Sequence, residues 1–467
     1  MTLTRALVDA PAYLRTKWQT SRALQAAAWS TSLFVAGQIV RVAANLVVAR
    51  LLAPEMFGVM SIVLIIQLII AMLCDIGLLP IVMRSKHGDE EDFLNTVWSV
   101  QMLRGLGIWI AGLFVALAVY FASKTSLISA SSVWHAPELP AVMAVVLFSS
   151  VIRGLQSTKF LSAYRHMNVK QLALIEFAGQ IISIVVMVTV AIATRSIWAF
   201  AVAALVAPVV STLLSHFWLP GPLNRLAWNR TALAEIYESG GWILLGSLLT
   251  TVAASADRLL MAGYVDAKTL GLYAIALNLI VMIDVFGQRL VGFVLQPQLN
   301  IAVRDNPGAL RTTLLRQRLV FDAGLLFVSG SLFASSQSLI AIMYDPRYVL
   351  AGHILQVLSL LFILSRYTLI MGQVYVAIGR PQLNAIFNAV KLISILILVP
   401  LGYHYAGFDG ALLAVALHQL PCVAVIFWFN KALDLNDFRL ELQVLPAWLA
   451  GYGAGYVLAG LLGLVQR

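Results

Sequence analysis

Apolar residues occur in long stretches along this chain, and glycine, proline and charged residues separate the stretches. A helix needs about 20 predominantly apolar residues to cross the hydrocarbon core of a bilayer. The stretches of that length predict thirteen membrane spans, at residues 26–49, 56–83, 97–121, 139–157, 170–193, 197–219, 240–262, 270–297, 315–338, 348–376, 383–402, 408–430 and 443–463. Because the runs are long and lack the alternation of a transmembrane β-barrel, the predicted fold is an all-α polytopic bundle of transmembrane helices.

The composition supports this prediction. Hydrophobic residues make up 61% of the 467 residues and charged residues 11%, whereas soluble domains have roughly 45–50% apolar and about 25% charged residues. A globular core cannot hide so much apolar surface, so the surplus must face lipid, which excludes a water-soluble enzyme. The two cysteines, Cys74 and Cys422, lie in apolar runs. We therefore predict no disulfide framework, no metal site and no cofactor.

The basic residues are distributed unevenly about the predicted spans. With the N-terminus inside, twenty Lys and Arg residues lie in or beside the inner loops and tail, six on the outer side and five within spans. The positive-inside rule then predicts a cytoplasmic N-terminus and accounts for the net charge of +10. No nucleic-acid-binding motif accompanies these residues, so no nucleic-acid partner is predicted. Residues 1–24 predict an amphipathic segment at the membrane surface, but Pro11 interrupts its periodicity and a basic tail stays an alternative.

Similar features recur along the chain at an offset of 213 or 214 residues. The matching positions are Phe57-Gly58 with Leu270-Gly271, Arg104 with Arg318, and Pro208 with Pro421. Each repeat contains six spans, an even number, so the two halves have the same orientation and are related by an axis along the membrane normal. The prediction is two pseudo-symmetric six-helix lobes, at residues 25–228 and 229–440, with an extra C-terminal transmembrane helix at residues 441–467.

Charged residues within the predicted spans are the candidates for binding. A charge near the bilayer centre costs about 2.5–3.5 kcal/mol on insertion scales, so it normally faces protein or water and marks a functional site. The substrate-binding candidates, which include one amide four residues after the first arginine, are Arg41, Asn45, Arg258, Arg289, Arg366 and Lys391. If these side chains face a shared cleft, they suit an anionic substrate such as a phosphate, which guanidinium groups bind through paired hydrogen bonds.

Most of these candidates also have a structural interpretation. Arg258 and Arg366 could extend to the nearer membrane interface, and Arg289 could pair with an aspartate. Asp75 and Asp257 are candidates for ion coupling, because a buried carboxylate can take up a proton near neutral pH. Membership of an ion pair is the favoured interpretation of both aspartates.

Two stretches of the chain carry a family resemblance. The first reads VVARLLAPEMFG at residues 47–58 and CDIGL at residues 74–78. The second reads ADRLLMAG at residues 256–263 and LGLYA at residues 270–274. These stretches resemble the signatures of bacterial polysaccharide exporters, the oligosaccharide-lipid flippases of the multidrug/oligosaccharidyl-lipid/polysaccharide superfamily.

The resemblance implies a V-shaped bundle in the bacterial cytoplasmic (inner) membrane, with a cationic central cavity. Such a protein flips undecaprenyl-diphosphate-linked oligosaccharide repeat units from the cytoplasmic to the outer leaflet by alternating access, for polysaccharide biosynthesis and export. The implied partners are the lipid-linked oligosaccharide and membrane lipids, with the polysaccharide polymerase and export machinery as further candidates. Family members have twelve or fourteen spans, so a thirteenth departs from their pattern.

Three other classes of membrane protein fit the sequence less well. An ion-coupled drug or cation antiporter of the same superfamily is the alternative, but it would hold a cationic substrate with acidic residues, and the spans contain at least as many basic ones. A major-facilitator transporter is disfavoured because residues 84–92 read RSKHGDEED, without the signature that this class has between its second and third spans. A membrane-embedded enzyme would need a clustered nucleophile or carboxylate pair, and no catalytic residue is predicted.

Overall fold

The computed structural model describes residues 22–74, 77–125, 132–305, 308, 310–380 and 382–465, with the backbone alone at residues 22–31, 34, 237–250 and 464–465. The predicted amphipathic segment lies outside this part of the chain, apart from residues 22–24. Over the described ranges the chain is helical and forms no strand, which confirms the all-α prediction.

The helices of the first half follow the predicted spans. They are α1 (Arg22–Leu51), α2 (Pro54–Leu73), α3 (Leu78–Arg84), α4 (Glu91–Ala122), α5 (Leu139–Gly154), α6 (Lys159–Arg165), α7 (Val169–Thr194) and α8 (Trp198–Phe217). The predicted span 56–83 is wrong in its continuity, because α2 ends at Leu73 and a separate helix begins at Leu78. Gly77, immediately before α3, has φ 67°, in the left-handed region that glycine adopts most readily.

The helices of the second half are longer and more often broken. They are α9 (Arg230–Tyr264), α10 (Ala267–Leu290), α11 (Gln296–Asp305), α12 (Leu310–Met343), α13 (Val349–Ser359), α14 (Leu361–Ala377), α15 (Gln382–Leu417), α16 (Leu420–Ala432) and α17 (Phe438–Val465). One π-helical turn, Val291–Leu295, joins α10 to α11. Asp266 caps α10, since its Oδ1 accepts a hydrogen bond of 2.9 Å from the backbone N–H of Thr269.

The run from residue 382 to residue 432 folds back on itself. Within α15, Ala406 and Gly407 leave the helical conformation, and Gly407 has φ 58°. The backbones of Gly402 and Gly410 then approach so closely that a methyl group on either would overlap the carbonyl of the other. The run therefore forms two antiparallel helices, in agreement with the separate spans predicted at 383–402 and 408–430.

The helices are long and apolar enough for a multi-pass membrane protein. Eight helical runs of the described residues meet the length and composition needed to cross a membrane, and ten do so if each of two bent pairs is one span. The bent pairs are Leu139–Gly154 with Lys159–Arg165, bent by 66°, and Pro346–Ser359 with Leu361–Ala377, bent by 47°. Each of the thirteen predicted spans overlaps one helix or two successive helices, and the number of membrane crossings stays a prediction.

The chain divides into two compact units. The first unit comprises Met1–Leu51, Ile70–Leu117 and Pro140–Leu245, and the second comprises Leu52–Ile69, Ala118–Leu139 and Gly246–Arg467. This division differs from the predicted lobes, because most of α2 belongs to the second unit. The lobes at residues 25–228 and 229–440 stay a prediction.

In the first unit, α4 holds the segment that leads from α8 to α9. The side chains of Asn95, Thr96 and Ser99 accept hydrogen bonds of 2.9–3.1 Å from the backbone N–H groups of residues 225, 229 and 227, respectively. These bonds satisfy backbone donors of a segment that has no regular secondary structure of its own.

Arg165, at the end of α6, caps the C-terminal end of α3 in the same unit. Its Nη1 donates hydrogen bonds to the carbonyl oxygens of Val82 (2.6 Å), Met83 (3.2 Å) and Ser85 (2.9 Å), and its Nε donates to Asp89 (3.0 Å). A cation is favourable there because the last carbonyl groups of a helix lack helical partners and carry partial negative charge.

We expect the Arg165→Lys variant to lose about 2 kcal/mol of unfolding free energy, because an ammonium group lacks the planar fork that reaches several oxygens at once. Thermal unfolding of the purified protein measures this loss. Arg84→Lys is the control: Arg84 is exposed and makes a single long hydrogen bond, 3.4 Å, to the carbonyl of Pro80. Equal unfolding temperatures for the two variants would contradict the role of Arg165.

In the second unit, the last helix α17 packs along α12 through small residues. A methyl group at Gly330 would overlap the carbonyl of Trp448, and one at Gly451 would overlap the carbonyl of Phe327. A methyl group at Gly455 would likewise overlap the carbonyl of Ser331. Small residues at such positions let two helix backbones approach closely, which is how helices gain packing contacts in membranes.

Candidate functional site

A cavity of about 720 Å³ lies within the second unit. Residues of α9, α10, α14 and α15 form its walls, together with the turn between α15 and α16. Its ionisable lining residues are Asp257, Arg258, Asp284, Lys391 and His418. Three of the sequence-predicted site residues, Asp257, Arg258 and Lys391, are thus brought to one cavity from two parts of the sequence.

Asp257 and Arg258 contribute adjacent charges from α9. The hydroxyl of Tyr273 on α10 donates a hydrogen bond of 2.5 Å to Asp257 Oδ2. Asp257 Oδ1 lies 3.9 Å from Arg258 Nε, and within the described part of the chain these two buried atoms have no hydrogen-bond partner. Buried polar atoms without hydrogen-bond partners are uncommon and cost free energy. Their presence at the cavity wall is therefore typical of a binding site rather than of a packing contact between helices.

Lys391 reaches the cavity from α15. Its Nζ donates a hydrogen bond of 3.2 Å to Thr368 Oγ1 on α14, and Thr368 Oγ1 lies 3.0 Å from Gln419 Oε1, to which it can donate in turn. Asp284 on α10 accepts a hydrogen bond of 2.7 Å from Gln288 Nε2. The ammonium and the carboxylate therefore each have a neutral partner, and the lining combines charges with amides and hydroxyls.

The charges of the cavity lining balance. Asp257 and Asp284 carry two negative charges, Arg258 and Lys391 carry two positive charges, and His418 is neutral in this count. The resemblance implies a cationic cavity, and the lining of this cavity in the second unit has no such excess.

A second polar cluster in the same unit joins α12, α14 and α17. Arg318 Nη2 contacts Asp322 Oδ2 at 3.0 Å and Glu441 Oε1 at 2.7 Å. Arg366 contacts the same two carboxylates, Asp322 at 2.9 Å and Glu441 at 2.9 Å. The hydroxyl of Tyr367 donates a hydrogen bond of 2.6 Å to Glu441 Oε2. We call these five residues the ion-pair network.

The ion-pair network is almost completely buried. Arg318 is 2% exposed, Asp322 0% and Arg366 4%. Two positive and two negative charges alternate within it, so each charge has opposite charges as neighbours, which burial in a low-dielectric interior requires. The network also explains Arg366: its guanidinium is paired with two carboxylates and does not belong to the lining of the cavity.

The remaining predicted site residues lie elsewhere. Arg41 is exposed and Asn45 half-buried on α1, in the first unit. Arg289 is half-buried near the end of α10 and is not part of the cavity lining. Asp75 lies outside the described residues. Within the second unit, the cavity therefore brings together Arg258 and Lys391 but neither Arg289 nor Arg366.

Sequence reasoning names one member of the ion-pair network, Arg366, as a site residue and misses the other four. Arg318, at the start of the ninth predicted span, counts with the basic residues of the inner side, and Glu441 precedes the thirteenth span. For Arg318 a signal existed, because Asp322 follows four residues later in an apolar run and residues at that spacing are neighbours on a helix. Glu441 offered no such signal, since its partners are 123 and 75 residues away.

Comparison with known proteins agrees with this architecture. Residues 47–322 match the family described as "Polysaccharide biosynthesis protein". The chain is 22% identical over 437 residues to the Lipopolysaccharide biosynthesis protein WzxC of Escherichia coli (strain K12). The alignment covers 89% of this chain and 84% of the relative.

Two solved structures share the fold. The Lipid II flippase MurJ, in an inward closed conformation, superposes with a TM-score of 0.67 at 10% identity, over 93% of this chain and 96% of that one. An inward-facing multidrug resistance MATE family transporter of the MOP superfamily gives a TM-score of 0.62 at 13% identity, over 87% and 95% of the two chains. These relatives are flippases or transporters rather than enzymes. The chain belongs to the polysaccharide biosynthesis protein family, which confirms the resemblance to polysaccharide exporters, and its fold is that of the MOP superfamily.

Proposed function

We propose that this protein moves undecaprenyl-diphosphate-linked oligosaccharides from the cytoplasmic to the outer leaflet of the bacterial inner membrane by alternating access, with its N-terminus in the cytoplasm. The observation that carries the proposal is a polar, ionisable cavity inside a bundle of apolar helices, in a chain that belongs to a polysaccharide biosynthesis family. The names of the relatives, a lipopolysaccharide biosynthesis protein and a lipid II flippase, support it.

The physical need for such a protein is the cost of carrying polar groups through hydrocarbon. Each hydroxyl or amide that enters an apolar medium without a hydrogen-bond partner costs several kcal/mol, and an ionised phosphate far more. A polar cavity replaces the lost water while the prenyl chain stays in the lipid. The described cavity provides donors and acceptors of this kind.

The candidate residues take different roles in this proposal. Arg258 and Lys391 contact the headgroup from the cavity wall, and Arg41, which is exposed, contacts its diphosphate, with Asn45 and Arg289 as further candidates. Asp257 is the candidate for ion coupling among the described residues. Arg366 has a structural role instead, because both of its carboxylate partners lie in the ion-pair network.

Leaflet-resolved transport tests the proposal. The lipid-linked intermediate that accumulates when the gene is deleted from its own cell is extracted and placed in vesicles with the purified protein, and a lectin reports the sugar on the outer leaflet. We expect the Arg258→Gln and Lys391→Met variants to transport about tenfold more slowly, which corresponds to about 1.4 kcal/mol of lost interaction.

The Lys431→Met variant is the matched control, because Lys431 is exposed on α16 and does not line the cavity. Its transport rate should equal that of the unchanged protein. The proposed function would be contradicted if sugar reached the outer leaflet no faster than in vesicles without protein. If the protein also exchanged a cationic drug for protons, the antiporter alternative would take its place.

A further inference from the structure

We propose that the cavity of the second unit binds the sugar residues of the headgroup and that the diphosphate does not bind there. This inference rests on the proposed function, which names a headgroup with both parts. The two parts have different chemistry: the sugars are rich in hydroxyl groups that donate and accept hydrogen bonds, whereas the diphosphate, esterified at both ends, carries two negative charges.

The neutral polar lining of the cavity matches sugar hydroxyls. Each asparagine or glutamine presents both donors and an acceptor, and each serine or threonine hydroxyl can donate or accept. Such a wall can therefore bind a sugar hydroxyl whether that hydroxyl donates or accepts the hydrogen bond. The lining side chains of this kind include Gln288, Ser365, Thr368, Gln373, Asn384 and Gln419. They come from α10, α14, α15 and the turn after α15, so polar groups are present on several sides of the cavity.

The balanced charge of the lining disfavours the diphosphate. Asp257 and Asp284 offset Arg258 and Lys391, so a dianion would enter a cavity without a compensating positive charge and would meet two carboxylates. A neutral sugar adds no net charge and can accept hydrogen bonds from the bases while it donates to the carboxylates. Carboxylate and guanidinium side by side, as in Asp257 and Arg258, provide an acceptor and a donor to adjacent hydroxyls.

The size and the apolar part of the lining fit the same ligand. A volume of about 720 Å³ falls within the range of roughly 300–1,000 Å³ that small-molecule sites have. Phe362 and Phe387 also line the cavity, and aromatic rings can pack against the C–H face of a sugar ring while its hydroxyls reach polar groups. A site for inorganic anions would not need such walls.

Protection of introduced cysteines tests the inference. Cys74 and Cys422 are replaced by alanine, and the lining variants Gln288→Cys and Gln373→Cys are prepared separately in that background. Each purified protein is labelled with a hydrophilic maleimide in the presence of one of two probes. The first probe is the oligosaccharide released by mild acid from the lipid-linked intermediate of the source cell, which carries neither lipid nor diphosphate. The second probe is inorganic diphosphate.

We expect the released oligosaccharide to slow labelling of both lining cysteines by about fivefold at a concentration about four times its Kd, in proportion to occupancy. Inorganic diphosphate should leave both rates unchanged. The matched control is Lys268→Cys, at an exposed position on α10 outside the cavity lining, which neither probe should protect.

Protection by diphosphate, or no protection by the oligosaccharide in a protein that transports the intact lipid-linked compound, would overturn the inference and leave the proposed function standing. Protection by the oligosaccharide in a protein that fails to transport would support the sugar site and contradict the flippase instead. Transport by the two cysteine variants is measured alongside, so that a misfolded variant is recognised and the other one decides.

Discussion

The Glu441→Gln variant should lose about 3–5 kcal/mol of unfolding free energy, because removal of one carboxylate from a buried network leaves an uncompensated positive charge. The carboxylate of Glu441 accepts hydrogen bonds of 2.6–2.9 Å from Arg318, Arg366 and the hydroxyl of Tyr367. Glutamine has a similar shape but no charge, so two guanidinium groups would share the single carboxylate of Asp322. Thermal and denaturant unfolding of the purified protein in detergent measure the loss.

A second substitution tests whether charge balance is the cause. In the Arg318→Met, Glu441→Gln double variant, Arg366 and Asp322 remain as a balanced pair at 2.9 Å. We expect the double variant to be more stable than the sum of the two single losses predicts, since each single variant alone leaves an unpaired charge. Strictly additive losses would show that the two residues act independently and would contradict the network.

The network also gives the last helix a definite place in the second unit. Glu441 stands in the first turn of α17, and its partners come from α12 and α14. Farther along α17, Gly451 and Gly455 pack against the α12 backbone, and Trp448 Nε1 donates a hydrogen bond of 3.3 Å to Ser329. The helix that lies outside the sequence repeat is therefore fixed to the unit along much of its length, first by charge and then by close packing.

The sequence predicted the fold class and most helices because the membrane imposes a simple rule on composition. Long apolar runs can only be helices there, and the rule locates them without any knowledge of packing. The break after Leu73 was harder to place, since one glycine in an apolar run does not by itself end a helix, whereas the fold-back at Gly407 falls between two predicted spans. Asp257, Arg258 and Lys391 were found because charges are rare in such runs.

The direction of each charged side chain was not predictable in the same way. A helix that is apolar on all sides gives no stripe from which to infer which face meets lipid, cavity or protein. Ser365 and Thr368 line the cavity, yet Arg366, turned by about 100° from Ser365, belongs to the ion-pair network. Glu441 was missed because its partners are distant in sequence, and only the fold brings them together.

Helices α2 and α10 cross closely within the second unit. Gly58 and Gly271, which the sequence offset of 213 makes equivalent, face each other there. A methyl group on Gly58 would overlap the carbonyl of Ala267, and one on Gly271 would overlap the carbonyl of Pro54. The two contacts are equivalent, because each obstructing carbonyl stands four residues before the opposite glycine.

We therefore expect Gly58→Ala and Gly271→Ala each to destabilise the protein by about 3 kcal/mol, at the upper end of the cost of overpacking, because backbone rather than a flexible side chain must give way. Gly263→Ala on α9 is the control: no atom lies within 4 Å of its added methyl group, and alanine is the better helix former by about 1 kcal/mol. The yield of folded protein and its unfolding temperature measure the difference. If Gly271→Ala unfolds at the same temperature as Gly263→Ala, the two helices do not cross at these glycines.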